Sequence, residues 1–234
     1  MWLSVWRQTL DLISAARCRV CSGPTEAGVA DFCERCQQQL ALPEGGLQGD
    51  QPLLWCALAP YAGPLRSLLL RQRPQADQAL ITALSTRLHS CCASVLPGAL
   101  VVPVPSWKRA GNPLPLLVAQ ALVAASGGAA ELAPALLFRT RPTVGQHHLG
   151  RNLRTRNLHK AFAALACRDQ SPRPLWLVDD ILTTGATACA AAEALATAGH
   201  AVQGLLALAR TPAPGGSLPR RDLRSAGRQG DGPG

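Results

Sequence analysis

Two adjacent carboxylates, Asp179 and Asp180, follow the apolar run Leu175, Trp176, Leu177 and Val178. The string Thr183-Thr184-Gly185-Ala186-Thr187 comes shortly after them. Four apolar residues in a row read as a central strand buried on both faces. Residues 186–198 read as an Ala-rich helix stopped by Gly199. A short Thr/Gly loop between strand and helix is suited to an anion. Its N–H groups converge, and the helix N-terminus adds positive potential. Gly185 lets the backbone approach closely, and the Thr hydroxyls offer further donors. Carboxylates just past the strand's carboxyl end can accept from vicinal hydroxyls, at the end where open α/β sheets bind ligands. One ligand satisfies both halves: a ribose 5-phosphate. A simpler reading makes Asp179 and Asp180 turn residues before a capped helix, but the whole string is more specific than a Thr-Gly pair.

Four of the nine cysteines form a second constellation, Cys18-x-x-Cys21 and Cys33-x-x-Cys36, with eleven residues between the pairs. Each pair can place two thiolates on one tetrahedral ion, and the turn between them brings the pairs together. Redox dithiols or incidental cysteines are the alternatives; two pairs this close favour zinc. A closed four-thiolate site is structural, and holds a module too small to make its own core. The other cysteines (Cys56, Cys91, Cys92, Cys167 and Cys189) are scattered in apolar surroundings. Free buried thiols beside one metal cluster point to a reducing, cytoplasmic compartment.

These groups need a scaffold. Residues 1–17 read as an amphipathic helix, residues 18–36 as a knuckle-and-turn segment, residues 37–42 as a short helix, and the Gly/Pro-rich residues 43–52 as a linker. Strands are expected at 54–58, 99–104, 175–178 and 201–208. Helices are expected at 64–70, 78–93, 114–125 and 186–198. Strands alternating with helices predict a mostly parallel sheet covered on both faces. From Pro212 the chain is dense in Gly, Pro, Arg and Ser, so residues 212–234 read as a disordered basic tail.

The formal net charge of +9 favours anionic partners without choosing among phosphate, nucleic acid and acidic lipid. Residues 136–167 contain no Asp or Glu, but hold Arg139, Arg141, Arg151, Arg154, Arg156 and Lys160. Such a run fits a flap that closes on pyrophosphate, a contact surface for nucleic-acid phosphates, or a solvated face. His147 and His148 lie in the same run and read as exposed loop residues. No secretory leader is apparent, and no stretch reaches the roughly 18 apolar residues of a membrane span.

Residues 177–187 resemble the ribose-phosphate motif of type I phosphoribosyltransferases, which bind phosphoribosyl pyrophosphate, usually with Mg2+. The four-cysteine segment, Val102-Pro103-Val104-Pro105, and the stretch Arg139 to Gln146 followed by Arg151, Asn157 and Phe162 extend the likeness. Together they resemble the ComF family of competence-associated proteins. The resemblance implies an α/β fold of the type I phosphoribosyltransferase kind, a mostly parallel sheet flanked by helices. It implies a zinc module over residues 1–45 and a phosphoribosyltransferase-like domain over 53–211. Asp179 and Asp180 would hold ribose and organise Mg2+, and Thr183, Thr184, Gly185, Ala186 and Thr187 would hold the 5-phosphate. Lys108, Arg109, Arg139, Arg141, Gln146 and Arg151 are candidates for pyrophosphate or nucleic acid.

The chain departs from the pattern after Pro105. An Arg-Gly-Phe-Asn core is expected, but Ala110-Gly111-Asn112-Pro113 stands there. Arg71-Gln72-Arg73-Pro74 lies where a Lys-containing turn is usual. The resemblance implies binding of ribose 5-phosphate or phosphoribosyl pyrophosphate in DNA uptake, with or without turnover. Single-stranded DNA or a DNA-uptake helicase would be the partner. A nucleotide-salvage transferase releasing pyrophosphate is the alternative.

Overall fold

The computed structural model describes residues 17–25, 31–106, 111–140, 161–168 and 173–212. The expected N-terminal helix, Lys108, Arg109, Arg141, Gln146, Arg151 and the tail from residue 213 lie outside them.

The chain order is α1 (Glu34–Gln39), β1 (Leu47–Gly49), β2 (Trp55–Pro60), α2 (Gly63–Gln72) and α3 (Gln78–Cys92). Then come β3 (Leu100–Pro103), α4 (Leu114–Ala125), β4 (Glu131–Leu132) and β5 (Leu137–Arg139). β6 (Phe162–Ala164), β7 (Pro174–Leu182), α5 (Ala186–Thr197) and β8 (Ala201–Arg210) complete it. The main sheet has the order β1-β2-β8-β7-β3-β4, and β5 pairs with β6 in a separate two-stranded sheet. All neighbours in the main sheet are parallel except β1, which runs antiparallel to β2.

β7 is central, so both of its faces are covered, and its apolar run follows from that. Leu175 and Leu177 pack with Ala188, Ala191 and Leu195 of α5. Trp176 and Val178 lie in one buried cluster with Leu84 and Leu88 of α3 and with Val118 and Leu122 of α4. The helices start on local signals. Asp77 accepts the Leu80 N–H at 3.1 Å and caps α3. Pro64 and Pro115 occupy the first turns of α2 and α4, where no N–H partner is lost.

Three expectations change. Residues 43–52 are not a plain linker, because Leu47–Gly49 form the antiparallel edge strand. Gly49 is needed there: an added Cβ would lie 2.6 Å from the Trp55 ring. The short helix after the knuckle begins three residues earlier than expected, at Glu34. β7 is longer than the apolar run and extends through both aspartates to Leu182.

The cysteine segment is not a tethered appendage. Phe32 and Leu40 are buried in the same cluster as Leu84 and Leu88. Gln37 accepts from Arg87 of α3 at 3.3 Å and donates to the Phe32 carbonyl at 3.0 Å. No described helix is long and apolar enough to cross a membrane.

Because Phe32 belongs to the shared core, Phe32→Ala should destabilise the whole protein by about 3–5 kcal/mol. Urea titration followed by tryptophan fluorescence checks this, since Trp55 and Trp176 report on the sheet. An unshifted fluorescence midpoint would show that the cysteine segment folds apart from it.

Candidate functional site

Asp179 and Asp180 sit on β7 just before its end, and their carboxyl groups interact directly with each other. This differs from two turn carboxylates beyond the strand.

Asp180 points inward and is 2% exposed. Its Oδ2 accepts from Arg73 Nε at 2.7 Å and from Asn112 Nδ2 at 2.9 Å. Its Oδ1 accepts from Arg73 Nη2 at 3.2 Å. Arg73 caps the C-terminus of α2, while Asn112 precedes α4. The Asn112 side chain also accepts the Leu114 N–H at 3.2 Å, and the Asn112 backbone N–H donates to Ser106 Oγ at 3.1 Å. One carboxylate thus joins α2, the β3–α4 loop and β7. Burial by itself would lower the Arg73 pKa, but the bonds and charge of Asp180 raise it. In the sequence Arg73 and Asn112 stand only as pattern positions, and nothing there pairs them.

Asp179 is partly exposed. Its Oδ1 accepts the Asp180 N–H at 2.8 Å. Burial first, and the neighbouring Asp180 charge second, push its carboxyl well above the usual carboxylate range. Arg139 approaches from β5. Its Nε donates to the Pro105 carbonyl at 2.9 Å, and its guanidinium lies 4.5 Å from the Phe162 ring centre. Burial lowers the Arg139 pKa, and the Asp179 charge opposes that shift. Arg139 is the basic candidate that the described structure brings towards Asp179.

The loop after β7 turns at once into α5. Thr183 is exposed, whereas Thr184 and Thr187 are partly buried. Gly185 occupies the N-cap position with φ of +80°, a conformation L side chains rarely adopt. Its missing side chain makes room for the Pro52 ring, whose Cδ would lie 2.8 Å from an added Cβ. Gly185 thus permits a close approach by Pro52 on the side where a Cβ would stand. The Gly185 carbonyl accepts the Cys189 N–H at 2.8 Å, and the Ala186 N–H reaches Thr184 Oγ1 at 3.4 Å.

Arg210 had no place in the sequence reading. It ends β8, opposite Leu182 in register. Its Nη1 donates to the Leu182 carbonyl at 3.2 Å and also to the Thr183 carbonyl. Its guanidinium lies 5.3 Å from the Trp55 ring centre. The only sequence signal was a lone Arg closing an apolar strand.

The four cysteines come together as their spacing requires. The Sγ atoms of Cys18, Cys21, Cys33 and Cys36 all lie within 4.8 Å of one another, and Cys21 and Cys33 are 3.7 Å apart. Four thiolates around one zinc at about 2.3 Å stand roughly 3.8 Å apart, so this set fits such an ion. Burial would raise the Cys18 thiol, but N–H donors from the turns outweigh it and bring its pKa down to about 6. Burial and the neighbouring thiols push Cys36 up.

No protein-family model matches the chain. The DNA utilization protein YhgH of Salmonella typhi is 31% identical over 222 residues, covering 83% of this chain and 95% of that protein. The same protein from Salmonella typhimurium matches to the same extent. Among solved structures, adenine phosphoribosyltransferase from Saccharomyces cerevisiae aligns over 74% of this chain and 86% of its own, with 19% identity and a TM-score of 0.36.

Arg73→Met strands the buried Asp180 charge and should cost roughly 3 kcal/mol in urea unfolding. Adding Asp180→Asn should recover most of that loss. A single-variant loss below about 0.5 kcal/mol would mean the pair behaves like an ordinary surface ion pair.

Proposed function

We propose that this chain, which belongs to the family of the DNA utilization protein YhgH, binds a ribose 5-phosphate or phosphoribosyl pyrophosphate at the carboxyl end of β7. The carrying observation is one juxtaposition. A partly exposed carboxylate, Asp179, stands one short loop before a helix whose N-cap is Gly185 at positive φ. The 5-phosphate would lie on the N–H groups of residues 183–187, where the start of α5 favours negative charge.

Asp179 is the carboxylate left for the ribose hydroxyls, because Asp180 is committed to Arg73 and Asn112. Asp180 then acts through position, fixing the strand end and the two flanking segments. Asp179 accepts best when ionised. Burial opposes that, and Arg139 or a cation arriving with the diphosphate would favour it. Mg2+ bound with the ligand would supply charge neutralisation for the diphosphate. The four-cysteine site would hold one structural zinc, in keeping with its place against the shared core.

The relatives' name carries over as the proposed setting: use of DNA, in the ComF manner of DNA uptake. Binding need not imply turnover, because Ala110 replaces the arginine of the expected loop. In the transferase reading, positioning and charge neutralisation would let a base displace pyrophosphate at C1, with no side-chain nucleophile. Arg139 beside Asp179 favours keeping that reading open.

Calorimetry with phosphoribosyl pyrophosphate and Mg2+ tests the proposal. Wild type should bind, and Asp179→Ala should bind at least about tenfold more weakly, the loss of one charge-assisted hydrogen bond. Equal binding by both proteins, or none by wild type, would overturn the assignment. Pyrophosphate release with a panel of bases then separates turnover from binding alone.

A further inference from the structure

We infer that Arg210 is a positioning residue of the phosphate loop, turning its N–H groups towards the anion and adding positive charge behind it. The inference rests on the reading of residues 183–187 as a phosphate site.

The argument begins with the peptide bond. In a trans peptide the carbonyl of one residue and the N–H of the next point in opposite directions. Arg210 Nη1 holds the Leu182 and Thr183 carbonyls. Holding them fixes the directions of the Thr183 and Thr184 N–H groups on the opposite side. It also keeps two carbonyl oxygens, which would repel an anion, turned away from the loop. The Thr211 N–H takes the Leu182 carbonyl as well, at 2.9 Å, so the first peptide is held twice.

Arg210 has no ion pair among the described residues. It rests instead near the Trp55 ring, and burial lowers its pKa. A half-buried cation without a carboxylate gains from a nearby anion more than a solvated one would. Two carbonyls and a ring face hold it in place without neutralising it. Trp55 is positioned in turn, since its Nε1–H donates to the Gln51 carbonyl at 3.0 Å. Pro52, the next residue, is the one that fills the space at Gly185. Pro52 thus meets the loop directly, and Trp55 reaches it through Arg210.

Calorimetry with ribose 5-phosphate on the full chain tests this, with circular dichroism melting as the control for folding. Arg210→Met keeps the length of the side chain and removes its charge and donors. It should weaken binding at least about tenfold. Arg210→Lys keeps the charge and a donor, and should stay within about threefold of wild type. If Arg210→Met does not fold, Arg210→Gln replaces it with the same expectation. Unchanged affinity in the neutral variant overturns the inference while leaving the proposed site intact. Equal losses in the neutral and lysine variants also overturn it, since retained charge would then count for nothing. Failure of wild type to bind ribose 5-phosphate removes the site reading, and this inference with it.

Discussion

A carboxylate almost wholly removed from water persists as an ion only when cations and donors replace its hydration. Asp180 has a guanidinium on both oxygens and an amide on one of them. Those donors come from the end of α2 and from the segment before α4, so the ionic contact doubles as a tie between them. Hydrophobic burial places the helices on the faces of the sheet but does not fix the loops at its end. The bond set around Asp180 does fix them, because losing any member leaves a buried charge short of partners. Asn112 extends the tie by accepting from the first turn of α4.

With Asp180 committed to Arg73 and Asn112, Asp179 is the carboxylate left partly exposed, within reach of the Arg139 charge. Its pKa is raised first by burial and second by the neighbouring Asp180 charge. The loop after β7 is then shaped by neighbours rather than by its own residues alone. Pro52 occupies the space left by Gly185, and Arg210 holds two of the loop carbonyls. The cysteine module contributes from a distance by burying Phe32 and Leu40 against α3.

The long periodic elements were legible in the sequence. The helix expected at residues 114–125 is α4 as found, and the central strand, the helix after it and the mostly parallel sheet also appear. Their signals are local: apolar runs at strand or helix spacing. The four cysteines were legible for the same reason, since short spacing limits where thiols can go. The edge strand Leu47–Gly49 was hidden, because three residues next to glycines carry no periodic pattern and only pairing with β2 defines them. The partners of Asp180 were hidden as well. Arg73 is 107 residues away in sequence and Asn112 is 68, and only the closed sheet brings them together. The motif names both aspartates alike, whereas Arg73 and Asn112 bond Asp180 and Asp179 accepts the Asp180 N–H. Arg210 carries no motif, and its meaning comes from its register opposite Leu182.

The central claim is that an anionic sugar phosphate lies over Asp179 and residues 183–187 while Asp180 stays a fixed support. Amide proton–nitrogen correlation spectra of the 15N-labelled protein, titrated with ribose 5-phosphate, test it most directly. The largest shifts should fall on the amides of Thr183, Thr184, Gly185, Ala186 and Thr187. The side-chain amide of Asn112, locked on Asp180, should move little. Shifts concentrated on the cysteine module, or a loop of residues 183–187 that does not respond at saturation, would contradict the account.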